Sequence, residues 1–219
     1  MHLLTDGAEL HAGLAAPLLP AFEEALEGYP AGRAGIRISG NQNLADLLST
    51  AGPIGGMAGQ VLGPGTQPVR AVLFDKSPGA NWQLDWHQDR TIAVKARHNV
   101  PGFENWNVKQ GMVHVEPPYD LLANMVTVRV HLDPVDERNG VLEVVAGSHR
   151  CGRISEAAIP RFVTEGPIRN CLAEKGDCWF YRTPILHRSA RSRSSARRRV
   201  LQIDYSADPL PEPLAWRGL

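Results

Sequence analysis

Residues 124–132 read Asn-Met-Val-Thr-Val-Arg-Val-His-Leu. Apolar and polar residues alternate with a period of two, the period of an extended chain. Val126, Val128 and Val130 therefore share one face of a strand, and Thr127, Arg129 and His131 share the other. After it come a polar turn over Asp133 to Gly140, a second strand over Val141 to Val145, and the turn Ala146-Gly147-Ser148-His149. Further strands are expected at Val69 to Phe74, closed by Ser77-Pro78-Gly79, at Asp177 to Arg182 and at Arg199 to Tyr205. Short strands parted by Gly, Pro and Asp turns, without alternating long helices, indicate an all-β sandwich or barrel.

Upstream of Val69 the texture differs. Leu10, Leu14, Leu18, Phe22 and Leu26 recur at helical spacing over Ala8 to Leu26, broken by Pro17 and Pro20. A second helix is expected over Leu44 to Thr50, capped by Asn41 or Asn43, and Gly and Pro crowd 52–68 as loop. The expected organisation is one domain over 1–219: a helical and loop-rich N-terminal part at 1–68, a β core at 69–205 and a tail at 206–219.

Composition narrows the function classes. Lys+Arg and Asp+Glu balance at 23 each, so no overall field favours nucleic acid or an anionic membrane. Seven arginines crowd 182–199, but no aromatic residues are interleaved as a nucleic-acid surface would have them. Cys151, Cys171 and Cys178 are odd in number and lack Cys-x-x-Cys spacing, so neither a disulfide framework nor a zinc ribbon is expected. No signal peptide or membrane-length apolar run is evident, and the expected location is the cytoplasm. The partner expected is a small molecule; nothing in the chain indicates an oligomeric state.

The chemistry concentrates in two distant segments. In His87-Gln88-Asp89, residues i and i+2 of an extended chain point the same way, so one imidazole and one carboxylate can grip one ion. A facial iron triad needs a second imidazole, and His187 supplies a candidate about a hundred residues later. Ser189 lies two residues beyond it and Arg198 eleven beyond. An arginine fork suits a cosubstrate with a distal carboxylate, and strand alternation sends Arg197 and Arg199 to the face opposite Arg198.

Three motifs, WHQD (Trp86 to Asp89), NGVLEVVAGSH (Asn139 to His149) and HRS…RR (His187 to Arg199), resemble the phytanoyl-CoA dioxygenase family, which includes ectoine hydroxylase-like enzymes. The resemblance spans Val69 to Asp204. It implies a mainly β, cupin-like double-stranded β-helix (a jelly roll) with N-terminal helices outside, working with Fe(II), 2-oxoglutarate and O2. On this likeness His87, Asp89 and His187 fall on the metal ligands and catalytic centre, Arg198 on the 2-oxoglutarate anchor and Ser189 on its hydroxyl partner. The strand before the Asn-Gly turn would bring Thr127, Arg129 and His131 to the pocket, and Val72 would form a wall. Related halogenases carry a small residue where Asp89 stands, so hydroxylation or a related C–H oxidation of a small organic substrate is implied, with succinate and CO2 as co-products.

Alternatives remain at this stage: a non-catalytic jelly-roll metal-binding or sensing protein, and a cupin-type iron enzyme without 2-oxoglutarate. Arg129 would meet either a cosubstrate or substrate carboxylate or a structural Asp or Glu. The polar segment Val94 to Glu116 is either a pocket cover or a surface loop, with Lys95, Arg97, His98, Trp106, Lys109 and His114 as candidates. Of these, Arg97, Trp106 and His114 join His131 as substrate-contact candidates, and Trp82, Trp86 and Trp106 as residues of the mouth.

Overall fold

The computed structural model describes all 219 residues. Along the chain run β1 (Ala8–His11), α1 (Leu19–Ala25), β2 (Ile36–Ile38), α2 (Gln42–Leu47), α3 (Pro53–Leu62), β3 (Gln67–Lys76) and β4 (Leu84–His87). Next come β5 (Ile92–Val94), β6 (Glu104–Lys109), β7 (Met112–Glu116), α4 (Tyr119–Ala123), β8 (Val126–His131) and β9 (Leu142–Val145). The chain closes with α5 (Ile159–Glu165), β10 (Ile168–Cys171), β11 (Cys178–Arg182), β12 (His187–Ser189) and β13 (Arg198–Ser206).

A six-stranded sheet has the order β1-β11-β8-β13-β3-β2, and a four-stranded sheet the order β10-β9-β12-β4. All their pairings are antiparallel. Leu142 and Val144 of the small sheet meet Trp179, Tyr181 and Val200 of the large one in a single buried cluster, which makes the pair a jelly-roll sandwich.

The alternation at 124–132 assigns the two faces of the large sheet. Val126, Val128 and Val130 pack outward with Leu73, Leu201, Ile203, Phe22 of α1, Leu44 of α2 and Ile54 of α3. This is the larger core, 22 buried residues against 11 between the sheets, so the apolar burial that stabilises the fold lies on the helical side. The inner face is thereby free to carry polar side chains. Across it Arg129 stands opposite Gln202 and His131 opposite Val200, while Arg198 stands opposite Lys76.

The N-terminal part departs from the sequence reading in two places. Ala8–His11 is a strand paired with β11, not a helix; the helix begins only at Leu19. Gly13 adopts φ +67°, and Pro17 and Pro20 fit only the first turn of a helical segment, so helical spacing upstream of them does not propagate. Conversely, 52–68 is not all loop. Pro53 opens α3 at its first turn, and Gly55 sits where a Cβ would lie 2.2 Å from the Ser49 carbonyl oxygen. The glycines there permit close packing of a helix. The Asn41 cap is as expected: its Oδ1 accepts the Leu44 N–H at 2.9 Å.

The segment 94–116 is ordered as sheet rather than loop. β5, β7 and β6 form a third antiparallel sheet whose Val94 and Val115 join Phe103 and Trp216 in a separate apolar cluster. No helix is long and apolar enough to cross a membrane.

Candidate active site

β12 lies between β9 and β4, and its register sets His187 directly opposite His87. The two ring centroids are 4.3 Å apart. Asp89, two residues past His87, completes a group whose ligand atoms all lie within 4.8 Å of one another. Each histidine is anchored alike: His87 Nδ1 lies 2.7 Å from Asp85 O, and His187 Nδ1 2.9 Å from Ile185 O. A carbonyl only accepts, so Nδ1 carries the proton and Nε2 keeps a free lone pair. Burial, followed by the neighbouring His87, pushes the His187 pKa down to about 4, which keeps this imidazole neutral and able to ligate.

Gln88 fixes the chain between His87 and Asp89. It points away from them, donating to Gly152 O and Pro184 O and accepting the Ile154 N–H. Burial raises the pKa of Asp89, but His187, Arg70 and His87 outweigh it and hold the carboxyl below its ordinary value. Its Oδ2 is buried with no hydrogen-bond partner, 4.0 Å from an Arg70 nitrogen. Behind it Arg70 Nε donates to Asp204 Oδ2 at 2.6 Å, and the Thr127 hydroxyl reaches Asp204 Oδ1 and Thr183 at 3.0 Å each. Thr127 thus sits in the chain of contacts that orients Arg70 beside Asp89.

Beside this group, from Ser189 two residues past His187 on β12, lies a cluster of buried cations. Arg198 is 3% exposed, donates from Nη1 to Gly140 O at 2.8 Å, and leaves Nε without a partner. Ser189 Oγ donates to the same carbonyl at 2.8 Å. Lys76, fully buried, donates to Ala190 O at 2.6 Å and lies 3.4 Å from Ser189 Oγ and 5.1 Å from the Trp82 ring centroid. Arg129 donates from Nε and Nη2 to Gln202 Oε1 and lies over Phe74. Its partner is therefore an uncharged amide, which corrects the reading of a structural Asp or Glu there.

None of the three cations forms an ion pair. Burial, then Arg198 and Arg129, brings the Lys76 pKa down to about 7, and burial, then Arg129, brings Arg198 down to about 9. The flanking arginines are neutralised on the outer face: Arg197 by Asp75, and Arg199 by Asp133 and Glu23. Alternation along β13 separates these roles: Arg197 and Arg199 are ion-paired on the outer face, and Arg198 between them is buried without an acid. His131 shares the inner face of the large sheet with Arg129 and Arg198. Both ring nitrogens lack partners, and burial, then Arg129 and Arg198, pushes its pKa down to about 3.

A cavity of about 1140 Å³ opens onto His87 and Asp89 and includes Val72, Trp82, Trp86 and Gln202. Arg97, Trp106 and His114 are not part of its wall. Arg97 stacks on Trp106 at 5.6 Å, Trp106 packs on the apolar cluster of the third sheet, and His114 is fully buried with Nδ1 2.9 Å from Met112 O. From the same segment Lys109 and Gln110 reach the cavity instead. Lys76 and Gln202 were overlooked in the sequence, yet phase would have found them: they lie i+4 from Val72 and Arg198, on the same strand face.

Residues 60–200 match the family model for phytanoyl-CoA dioxygenase (PhyH). The chain belongs to the phytanoyl-CoA dioxygenase family. No curated protein sequence matches this PhyH family member. Solved structures do resemble it. EvdMO1 superposes with a TM-score of 0.65 at 16% identity over 95% of this chain, which spans only 49% of EvdMO1. SnoK, a non-heme alpha-ketoglutarate-dependent carbocyclase from nogalamycin biosynthesis, gives 0.64 at 17% identity, covering 99% of this chain and 85% of its own. HygX from Streptomyces hygroscopicus, crystallised with nickel, 2-oxoglutarate and hygromycin B, gives 0.61 at 14% identity, covering 93% and 84%. At these identities the likeness establishes the jelly roll; the family model establishes the class.

This PhyH protein is an Fe(II)/2-oxoglutarate-dependent dioxygenase. Its own residues suit that equipment. Two imidazoles anchored through Nδ1 and a carboxylate with an unpartnered oxygen could hold a ferrous ion on one side. Three buried cations with no acid among them suit a dicarboxylate.

The Asn139-Gly140 turn supplies the carbonyl that Arg198 and Ser189 share. Gly140 adopts φ +78°, and a Cβ there would lie 2.7 Å from both Ala190 O and Lys76 Nζ. Gly140→Ala is expected to cost about 1–3 kcal/mol of stability and to displace the carbonyl shared by Arg198 and Ser189. A lowered urea midpoint with a raised 2-oxoglutarate requirement is the expected pairing. A wild-type value of both would show that the turn adapts without strain.

Proposed function

We propose that His87, Asp89 and His187 hold the ferrous ion, that Arg198, Ser189 and Lys76 receive the distal carboxylate of 2-oxoglutarate, and that the enzyme hydroxylates or otherwise oxidises a C–H bond of a small organic substrate seated in the adjoining cavity. The observation that carries this reading is that β12 joins His187 of a two-His, one-carboxylate group to Ser189, which sits in a cluster of buried cations free of acids. When bound, iron with 2-oxoglutarate and O2 supplies the oxidant, and the keto-acid leaves as succinate and CO2.

The chain's part is placement. Asp85 O and Ile185 O orient the two rings, Gln88 fixes the strand between the ligands, and Arg70 steadies Asp89. Arg198 and Lys76 orient the keto-acid from its far end. Asp89 fills the third protein position with a carboxylate, which supports hydroxylation over halogenation. Trp82, Trp86 and Phe74 form apolar wall that limits water at the reacting carbon. Purified protein with Fe(II), 2-oxoglutarate and O2 should form succinate slowly without added substrate. Complete absence of succinate from iron-loaded protein would overturn the reading.

The buried lysine gives this pocket a pH signature. Lys76 titrates near 7 in the free protein, and a bound carboxylate stabilises its charged form, so binding raises its pKa. Affinity for 2-oxoglutarate should be level below pH 7 and weaken above it, by up to about tenfold per pH unit, until the pKa of the bound state is reached. Titration of the Mn(II)-loaded protein by calorimetry from pH 6 to 9 measures this. Lys76→Met should remove the slope; a flat wild-type profile would assign the carboxylate elsewhere.

A further inference from the structure

The cavity in front of the proposed iron site has two rims of different chemistry. β4 and α5 build one, with Asp85, Trp86, Ile159 and Val163, joined by Glu156. The edge strand β2 and the tip of the β6–β7 hairpin build the other, with Arg37, Lys109 and Gln110. Arg37 stands opposite Val72 across β2 and β3, while its neighbours Ile36 and Ile38 turn outward into the main core. Alternation therefore commits this guanidinium to the cavity side.

Neither Arg37 nor Lys109 forms a salt bridge. Arg37 Nε is buried with no hydrogen-bond partner. Burial lowers the pKa of both groups, Arg70 lowers that of Arg37 further, and Arg37 and Arg70 lower that of Lys109. Arg70 cannot serve as their counterpart: it is a third cation, already bound to Asp204.

The two cations are held together by construction. Gln110 and Gly111 form the hairpin tip, both with left-handed φ, +53° and +76°. For glutamine this conformation is unusual and needs an offsetting contact. The Gln110 side chain supplies it, accepting the Arg37 backbone N–H at 3.0 Å and donating to Gly35 O at 2.6 Å. These are bonds a further strand would make with the open edge of β2. They fasten the tip to the sheet and fix Lys109 near Arg37.

We propose that the substrate carries an anionic oxygen group, a carboxylate or a phosphate, bound between Arg37 and Lys109, with its apolar body along Trp86, Ile159 and Val163. The acidic residues Asp85 and Glu156 on the facing rim exclude the opposite orientation. This inference rests on reading the adjoining centre as the iron site, because that reading makes the cavity a substrate cavity.

The test uses full-length protein loaded with Mn(II) and saturating 2-oxoglutarate, so that the Arg198 pocket is filled. Phenyl phosphate, benzoate and phenol are titrated separately by calorimetry. One or both anions should bind at least about tenfold more tightly than phenol, the scale of one charge-assisted hydrogen bond, and the better anion identifies the group. Arg37→Gln and Lys109→Gln should each weaken anion binding by about tenfold without changing the 2-oxoglutarate affinity. Arg37→Lys should retain most of it, which a purely structural role would not demand. Equal binding of phenol and both anions, no binding of either anion, or undiminished anion binding in the Arg37→Gln/Lys109→Gln double variant would overturn the proposal. Succinate formation without substrate reports on the iron reading separately. Its absence with anion binding intact would remove the iron centre and leave the anion site standing.

Discussion

Replacing His87, Asp89 or His187 by alanine is expected to abolish metal retention and succinate formation together. Each side chain offers one of only three ligand atoms lying within 4.8 Å of one another. Loss even of a supporting contact to a metal ligand typically costs 10–100-fold in affinity or activity, so loss of a ligand should cost at least about 100-fold. The three variants should also differ in stability. His187 is buried between β9 and β4, so its truncation leaves a cavity, whereas His87 is only half-buried. Asp89→Ala removes a carboxyl next to Arg70, which keeps Asp204 as its partner. Equilibrium dialysis against Fe(II) or Mn(II), with a thermal melt of each variant, separates loss of the ion from loss of the fold. A folded variant that retains both metal and turnover would show that its residue lies outside the centre.

The second large effect is expected at Arg198. Arg198→Ala removes the one buried guanidinium of β13 that has no acid partner, leaving a dicarboxylate half-matched by Lys76. Truncating one side of a buried, hydrogen-bonded charge pair costs about 2–5 kcal/mol, so the 2-oxoglutarate requirement should rise roughly 30-fold or more. Iron affinity should be spared, because Arg198 touches none of the three proposed ligands. Arg197→Ala and Arg199→Ala provide the contrast. Their partners are Asp75, Asp133 and Glu23 on the outer face, so they should alter stability and leave the 2-oxoglutarate requirement near wild type. A requirement unchanged in Arg198→Ala, or raised equally in all three, would point to another anchor.

How far these features could be read from sequence followed physical periodicity. Wherever a strand had one committed face, its phase was legible. Val126, Val128 and Val130 turned outward together, and the same alternation distinguished Arg198 from Arg197 and Arg199. The meeting of His87 and Asp89 with His187 required non-local pairing that no local pattern encodes. It was visible only through three motifs in the order and spacing of a family.

Local patterns misled where tertiary context outweighed them. Leucines at helical spacing near Ala8 yielded to pairing with β11, and a Gly-rich stretch became α3 because it packs closely against the Ser49 carbonyl. Within 94–116 the polar composition suggested a cover, but of its six candidates only Lys109 lines the cavity. The turn at Gln110-Gly111 sets which residues reach the cavity, and Lys109 does while Trp106 does not. A side-chain amide imitating a strand edge, as at Gln110, carries no recognisable sequence mark.

The most direct measurement is an anaerobic titration of the Fe(II)-loaded protein with 2-oxoglutarate, followed by visible absorption. One equivalent of keto-acid per iron should produce a saturable band in the wild-type protein. The band should be lost in His187→Ala and reached only at much higher 2-oxoglutarate in Arg198→Ala. Iron-loaded wild-type protein that binds no 2-oxoglutarate, or a band unchanged in both variants, would contradict the placement of iron and keto-acid at these residues.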